Sequence, residues 1–313
     1  MRHRLFLLAI GFSGLLWTIA TLSYAVRPDA MALLTMAPAW LWLLLGLLFA
    51  GVRIRRRLVA LLWLLWAGFA LPFVDELRPV FHPVSWFHRP QLSPKSPEVF
   101  RVVSLNCAGG DPQAAQEVIA WQPDLVLLQE APTERHVHAL AERLYGNPNA
   151  CAIGLDTAIL GRGLSPLAPP AELRRCAFAR VPLGSWQLFV SSIRLMPSSL
   201  DLDFGMQTMS RKNRRAELEE ILRFVPTNEP LLLGGDMNVP AGDGALSPLK
   251  DRQLSDTFAL AGVGWGNTVE NGLPIHRIDQ LYSNARGLSP MAIIAVPTAH
   301  SDHRMLVADF RLL

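Results

Sequence analysis

Cysteine is scarce in this chain. Its three cysteines in 313 residues, Cys107, Cys151 and Cys176, form no CxxC pair and no spacing that suits zinc. A disulfide-built scaffold and a thiolate metal centre are therefore excluded as organising devices. An oxidising compartment would permit one disulfide, for which Cys151–Cys176 is the preferred pair; otherwise the three are small buried hydrophobes. Internal repeats are missing as well. The one biased stretch is 76–98, with Pro79, Pro83, Pro90, Pro94 and Pro97, which reads as a semi-rigid, extended linker. Charged residues are few, 18% against 50% hydrophobic, and they are absent altogether from residues 5–26, 30–52 and 58–74.

A helix needs about 20 apolar residues to cross a bilayer core, with roughly 17 as the lower limit. The first two uncharged runs pass easily and the third narrowly, so three transmembrane helices are expected. A cleaved signal peptide would suit Arg2 and Arg4, but the first run is longer than a signal core and two more follow at once. Arginine sets the orientation. Arg2 and Arg4 precede the first run, and Arg53, Arg55, Arg56 and Arg57 lie between the second and third. The connection between the first and second holds only Arg27, two residues from Asp29. Positive charge stays on the cytoplasmic side. The N-terminus and the Arg53–Arg57 loop are thus expected inside, and everything after residue 75 outside the cytoplasm, in the periplasm if the cell is Gram-negative. Two spans instead of three would invert this.

Basic charge is what the remainder lacks. Up to residue 97 there are 10 Lys and Arg against 3 Asp and Glu; beyond it there are 19 against 23, so the net +3 of the whole chain belongs to the membrane segment. An enzyme that grips duplex DNA carries a basic footprint, and residues 98–313 carry none overall. Arg211, Lys212, Arg214 and Arg215 do cluster, at the start of a helical stretch, and read as a solvated helix face.

What residues 99–313 do contain is a series of short apolar strands with polar ends. Phe100–Leu105 runs into Asn106, Leu125–Leu128 into Gln129 and Glu130, and Leu231–Leu233 into Gly234-Gly235-Asp236-Met237-Asn238. Antiparallel strands are expected around 158–160, 176–181 and 187–193. Short strands are expected at Ile278–Tyr282, with Asp279, and at Met305–Phe310, preceded by Ser301-Asp302-His303. Asp111-Pro112 has the residues of a helix start, and 211–225 places Leu218, Ile221, Leu222 and Val225 on one helical face. Each polar end alone has an ordinary explanation as turn or cap. Converging on one rim, they make an oxygen-rich site for a hard cation such as magnesium or manganese rather than zinc.

In this order, Ser104-Leu105-Asn106, Leu128-Gln129-Glu130, Gly235-Asp236-Met237-Asn238, Arg277-Ile278-Asp279 and Ser301-Asp302-His303 resemble the endonuclease/exonuclease/phosphatase family, over about residues 99–313. The resemblance implies a four-layer α/β sandwich, two mainly antiparallel sheets face to face with helices outside, here preceded by transmembrane helices. It implies a metal-dependent phosphoric ester hydrolase using Mg2+ or Mn2+. Glu130 would be the principal metal ligand with Asn106 beside it and Asp302 contributing. Asp236 would position or deprotonate the attacking water, Asn238 would hold a phosphate oxygen or support that water, and His303 would pair with Asp279 and contact phosphate. One departure stands out. Where the family usually has Thr-His-Leu, this chain has Ile193-Arg194-Leu195, so Arg194 takes the place of a histidine that contacts phosphate. Arginine binds phosphate but shuttles no proton.

The expected function is a phosphodiesterase or phosphatase at the outer membrane surface, with a lipid headgroup as substrate. A nuclease on short or single-stranded nucleic acid and an inactive phosphate-binding or partner-binding protein are the alternatives. The bilayer is the expected partner, and no stable protein partner is implied. The loops 161–175, 196–210 and 239–275 would set the substrate; Trp265 and Phe204 within them are expected to pack.

Overall fold

The computed structural model describes residues 2–50, 56–81, 98–184, 186–198, 202–284 and 286–313. Arg53 and Arg55, the tail of the second uncharged run, and Pro83, Pro90, Pro94 and Pro97 lie outside them. The N-terminal part is helical: α1 (Arg2–Val26), a 3-10 turn at Asp29–Met31, α2 (Ala32–Met36), α3 (Ala39–Ala50), α4 (Arg56–Phe73) and a 3-10 helix at Asp75–Phe81. Among the described residues α1 is long and apolar enough to cross a membrane from Leu7 to Val26. The pair 29–36 and 39–49, bent by 75°, passes the same test only if counted as one span, and Arg57–Phe73 is a shorter apolar helix. Their outward positions, among them Leu8, Leu15, Leu22, Leu44, Leu48 and Leu64, are exposed apolar side chains. Inside, Trp66 is fully buried and donates to Ser13 Oγ at 3.1 Å, and Ser13 donates to Gly46 O at 2.9 Å.

The remainder is built from two six-stranded sheets. Its elements in chain order are β1 (Val99–Asn106), α5 (Pro112–Gln116), β2 (Leu125–Gln129), α6 (Glu134–Tyr145), β3 (Cys151–Ile153), β4 (Thr157–Gly161), β5 (Ser165–Leu167), β6 (Ala177–Leu183), β7 (Trp186–Arg194), α7 (Phe204–Phe224), β8 (Leu231–Asp236), α8 (Ser247–Asp251), β9 (Ser255–Asp256), α9 (Thr257–Ala261), β10 (Asp279–Ser283), β11 (Leu288–Val296) and β12 (Met305–Leu312). One sheet runs β11-β12-β1-β2-β4-β3 and the other β5-β6-β7-β8-β10-β9. All neighbours are antiparallel except β1–β2 and β7–β8. The four-layer sandwich expected from the sequence is the fold observed.

The apolar strands are buried on both faces, which is why they read as continuous runs rather than alternating ones. Val102, Leu125, Leu127, Ile159, Leu188, Val190, Leu232 and Leu281 meet in the core between the sheets. Their neighbours of opposite parity face outward: Val103, Leu105, Val126 and Leu128 pack with Ala114, Val118, Val137 and Leu140 of one helical layer. On the other side Phe189, Leu231 and Leu233 pack with Leu218, Ile221 and Leu222 of α7. Because side chains alternate along a strand, counting on from the inner residues puts Asn106, Gln129, Arg194 and Asp236 on the inner face at the carboxyl ends of β1, β2, β7 and β8. Asp279 opens β10, which runs antiparallel to β8 with Asp279 opposite Asp236. His303 precedes β12, which is antiparallel to β1. All six positions therefore arrive at one end of the sandwich.

Two expectations are corrected here. The cysteines are all free and buried. Cys151 belongs to the outer cluster of one sheet and Cys176 to that of the other, so packing separates the pair proposed for a disulfide. The arginine cluster is not a solvated face. Helix α7 starts at Phe204, capped by Asp203, whose carboxylate accepts from Met206 N at 2.7 Å. Arg211 and Arg214 each keep only 1% of their surface exposed. Arg211 donates to Asp243 at 2.6 Å, to Thr35 Oγ and to Pro28 O at 3.2 Å, while Arg215 grips both oxygens of Asp29 at 2.6 and 3.2 Å. The covering segment comes from the connection between the first two apolar runs. A second seam lies at Arg277, which pairs with Asp256 at 2.6 Å and Asp75 at 2.7 Å, next to Asn267 donating to Glu76 at 2.9 Å. The sandwich thus rests directly on the helical part at Pro28, Asp29 and Thr35 and at Asp75 and Glu76.

Candidate active site

Asn106 joins the two sheets at the rim. Its Nδ2 donates to Glu130 Oε1 at 3.2 Å and to Asp236 Oδ2 at 3.1 Å, while its Oδ1 accepts from Ala108 N at 3.0 Å. Glu130 follows β2 with a φ of 44°, and Asn238 follows β8 with a φ of 52°. Both are left-handed conformations that side-chain-bearing residues seldom adopt and that tend to gather at functional sites. Between them Gly235 sits at φ 138°, where an added Cβ would lie 2.0 Å from Ile193 O. Glycine is what lets β8 close against β7 beside the site. Asp236 is held from three sides: Asn238 N donates to Oδ1 at 2.8 Å, and the amides of Asn238 and Asn106 donate to Oδ2.

His303 and Asp279 form the second pair, Nδ1 to Oδ2 at 2.8 Å, both buried. Ser301 Oγ ties this strand end to the first sheet by donating to Asn106 O at 2.7 Å, and it accepts from His303 N at 3.0 Å. Burial and the neighbouring Asp279 charge push Asp236 up to about 7. For His303, burial acts downward, but the charge and hydrogen bond of Asp279 outweigh it and raise the imidazole to about 10. Asp279 thus favours the protonated imidazole and fixes its orientation.

Arg194 reaches into the same space from β7. Its Nη2 lies 2.7 Å from Glu130 Oε1, its Nη1 3.0 Å from Asp156 Oδ2 and its Nε 4.0 Å from Asp236 Oδ2. Arg175 pairs with Asp156 as well, at 2.8 Å. Asp156 was not singled out from the sequence; it lies in the turn between β3 and β4 with no motif around it. Gln129, another inner-face strand end, bonds to Ser192 Oγ at 3.1 Å and stitches the sheets beneath the site. Of the residues expected at the site, Asn106, Glu130, Arg194, Asp236 and Asn238 share one network, with Asp279–His303 adjoining it. Asp302 is exposed; its backbone carbonyl accepts from Asn271 N at 2.7 Å, and its charge acts on His303.

A rim of this composition, formed by strand ends in this order, is matched by residues 103–303 to the Endonuclease/Exonuclease/phosphatase family. The chain belongs to that family. Its domain is similar to the uncharacterized protein YbhP of Escherichia coli K12, 24% identical over 245 residues, which cover 68% of this chain and 96% of YbhP. Among solved structures it is similar to an endonuclease/exonuclease/phosphatase from Beutenbergia cavernae, with TM-score 0.52, 17% identity, and 69% of this chain and 72% of that one covered. It is also similar to humanized D. rerio TDP2, with TM-score 0.51, 16% identity, and 68% and 99% covered. At such identities these structures speak for the fold. Membership in the family makes phosphoester hydrolysis the reaction class.

A divalent cation is the cofactor that the family implies, and the donor set can be tested for it. The oxygens are of the right kind. Their arrangement does not suit it: Glu130 Oε1 already accepts from Arg194 and Asn106, Glu130 Oε2 accepts from Gly109 N, and the Asn106 amide presents N–H donors to both carboxylates. Among the described residues no three His, Cys, Asp or Glu side chains converge as a metal-holding group.

Proposed function

We propose that this protein hydrolyses a phosphate ester outside the cytoplasm at the membrane surface, with a lipid headgroup as substrate. The observation that carries the reaction is the placement of Asp236 beside Asp279–His303 and Arg194. A carboxylate raised to about 7 by burial is matched to taking a proton from water at neutral pH. The His303 imidazolium and the Arg194 guanidinium are the donors for phosphoryl oxygens, where negative charge grows as the water attacks phosphorus and the ester P–O bond breaks. Asn238, fixed by donation to Leu195 O at 2.8 Å, holds Asp236 in line.

The location follows from charge and contact. We read residues 5–26, 30–52 and 58–74 as three spans, 76–98 as the connection and 99–313 as the catalytic domain. Pro28, Asp29 and Thr35 at the start of the second span, and Asp75 and Glu76 after the third, touch the domain, which supports placing these span ends on its side of the membrane, opposite the arginine-rich 53–57 loop that stays inside. Lipid as substrate is supported by the start of α7. Phe204, Met206 and Met209 are 50%, 52% and 55% exposed, and Thr208 between them donates to Asp29 O at 3.0 Å. These exposed apolar side chains thus stand at the end of α7 that packs on the 29–31 turn and α2. Phe204 and Trp265 are half-exposed rather than packed.

The test uses the full chain in detergent or nanodiscs, with and without Mg2+ or Mn2+. Its arms are a soluble phosphodiester, a phosphomonoester, single-stranded DNA and vesicle phospholipid. Preference for lipid supports the reading. Preference for single-stranded DNA would replace it with a nuclease, and a folded protein that hydrolyses none of them would be a phosphate-binding or partner-binding member. Phe204→Asp with Met206→Asp should cut hydrolysis of vesicle lipid by about tenfold or more, since each apolar side chain contributes ~1.5–3 kcal/mol when buried. Turnover of the soluble phosphodiester should stay unchanged. Equal losses on both would remove the lipid-facing role from α7.

A further inference from the structure

We infer that Arg194 supplies the resident positive charge at Glu130, so that the site carries its own cation and holds a divalent metal ion only weakly. The inference concerns charge and donor atoms, and its test does not depend on which ester is hydrolysed.

Three carboxylates face the guanidinium. Glu130 and Asp156 meet it at 2.7 and 3.0 Å, and Asp236 stands 4.0 Å away. The planar fork divides between two acids on different loops, Nη2 on Glu130 and Nη1 on Asp156. Glu130 has no oxygen left without a donor: Arg194 and Asn106 reach one and Gly109 N the other. Reversing the Asn106 amide to offer its oxygen would set N–H against the Ala108 N that Oδ1 now accepts from, at 3.0 Å, and would break both contacts to the carboxylates.

A divalent ion at Glu130 would have to displace Nη2 and then sit beside a guanidinium that keeps its charge at any ordinary pH. Like charges at such separation repel strongly in a partly buried setting. A neutral imidazole at position 194 would impose neither penalty. The Arg194 Nε is buried without a hydrogen-bond partner and lies 4.0 Å from Asp236 Oδ2, so all three nitrogens of the side chain are turned toward carboxylates.

The experiment measures Mn2+ uptake by the chelator-stripped full chain in nanodiscs, following the free-ion electron paramagnetic resonance signal. The wild type, Glu130→Gln, Arg194→His, Arg194→Gln and Arg194→His/Glu130→Gln are compared, and thermal unfolding verifies that each is folded. The wild type is expected to leave micromolar Mn2+ free. Arg194→His should bind it at least about tenfold more tightly, the scale on which groups around a metal site tune affinity, and the double variant should lose that gain. Arg194→Gln, which removes the charge without adding a ligand, should gain part of it, and it decides the matter if the histidine variant does not fold. Micromolar binding by the wild type that Glu130→Gln abolishes would overturn the inference. So would a folded Arg194→His and Arg194→Gln that bind no better than wild type.

Discussion

Asp236→Asn is expected to lower kcat by about 10²–10⁴-fold, the usual contribution of a positioned general base, with little change in the unfolding midpoint. The two halves of this expectation have separate origins. The carboxylate is the only group in the network that combines deep burial, a value near 7 and three donors holding it in place. An amide of the same shape cannot accept a proton from water. It loses one accepted hydrogen bond, because its NH2 must face the Asn106 and Asn238 amides or Asn238 N. It also removes a negative charge from beside Asp279, whose field raises Asp236, and the two changes offset. Steady-state rates on the preferred ester, measured beside thermal unfolding, check it. A near-wild-type rate would take the base role away from Asp236.

Arg211→Met is expected to do the reverse, destabilising the protein by about 3–5 kcal/mol while leaving the chemistry of the folded fraction intact. That is the range for breaking one side of a buried ion pair. Asp243 keeps 4% of its surface exposed and would be left as a buried charge without its arginine, and the contacts to Thr35 and Pro28 would go with it. Denaturant unfolding of the full chain in detergent measures the loss. Arg211→Met with Asp243→Leu should recover part of it, because apolar replacement of both partners removes the uncompensated charge. An unchanged stability in the single variant would mean that the two halves of the chain are not docked through this seam.

The fold was legible because its signals are local. Strands buried on both faces show as apolar runs, and their ends show as Asn106, Glu130, Asp236 and His303. Parity along each strand then suffices to bring the inner residues together. Asp156 was not legible, since nothing in the turn around it marks an acid that meets an arginine from another strand. Helix α6 and strand β11 were passed over as well. The first does carry a signal, Val137, Leu140, Ala141 and Leu144 at helical spacing among its charges, whereas the second is broken by a shift in pairing between Pro290 and Ala292. The arginine cluster on α7 misled for a different reason. A basic helix face looks solvated unless its acidic cover is known, and that cover is Asp243 for Arg211 and Asp29, far away in the chain, for Arg215.

The seam between the halves also orders events in time. Arg215 lies 186 residues beyond Asp29, and Arg277 lies 202 beyond Asp75. On a ribosome the N-terminal helices are made long before these partners exist. The docking contacts close loops of nearly two hundred residues, the kind of long-range closure that comes slowly. The sandwich can collapse around its own apolar strands, but α7 reaches its native surroundings only against Pro28, Asp29 and Thr35 of the N-terminal segment. Docking of the N-terminal helices is thereby a step in the folding of the sandwich, and a chain that fails to dock them would carry Arg211 and Arg215 with part of their cover missing.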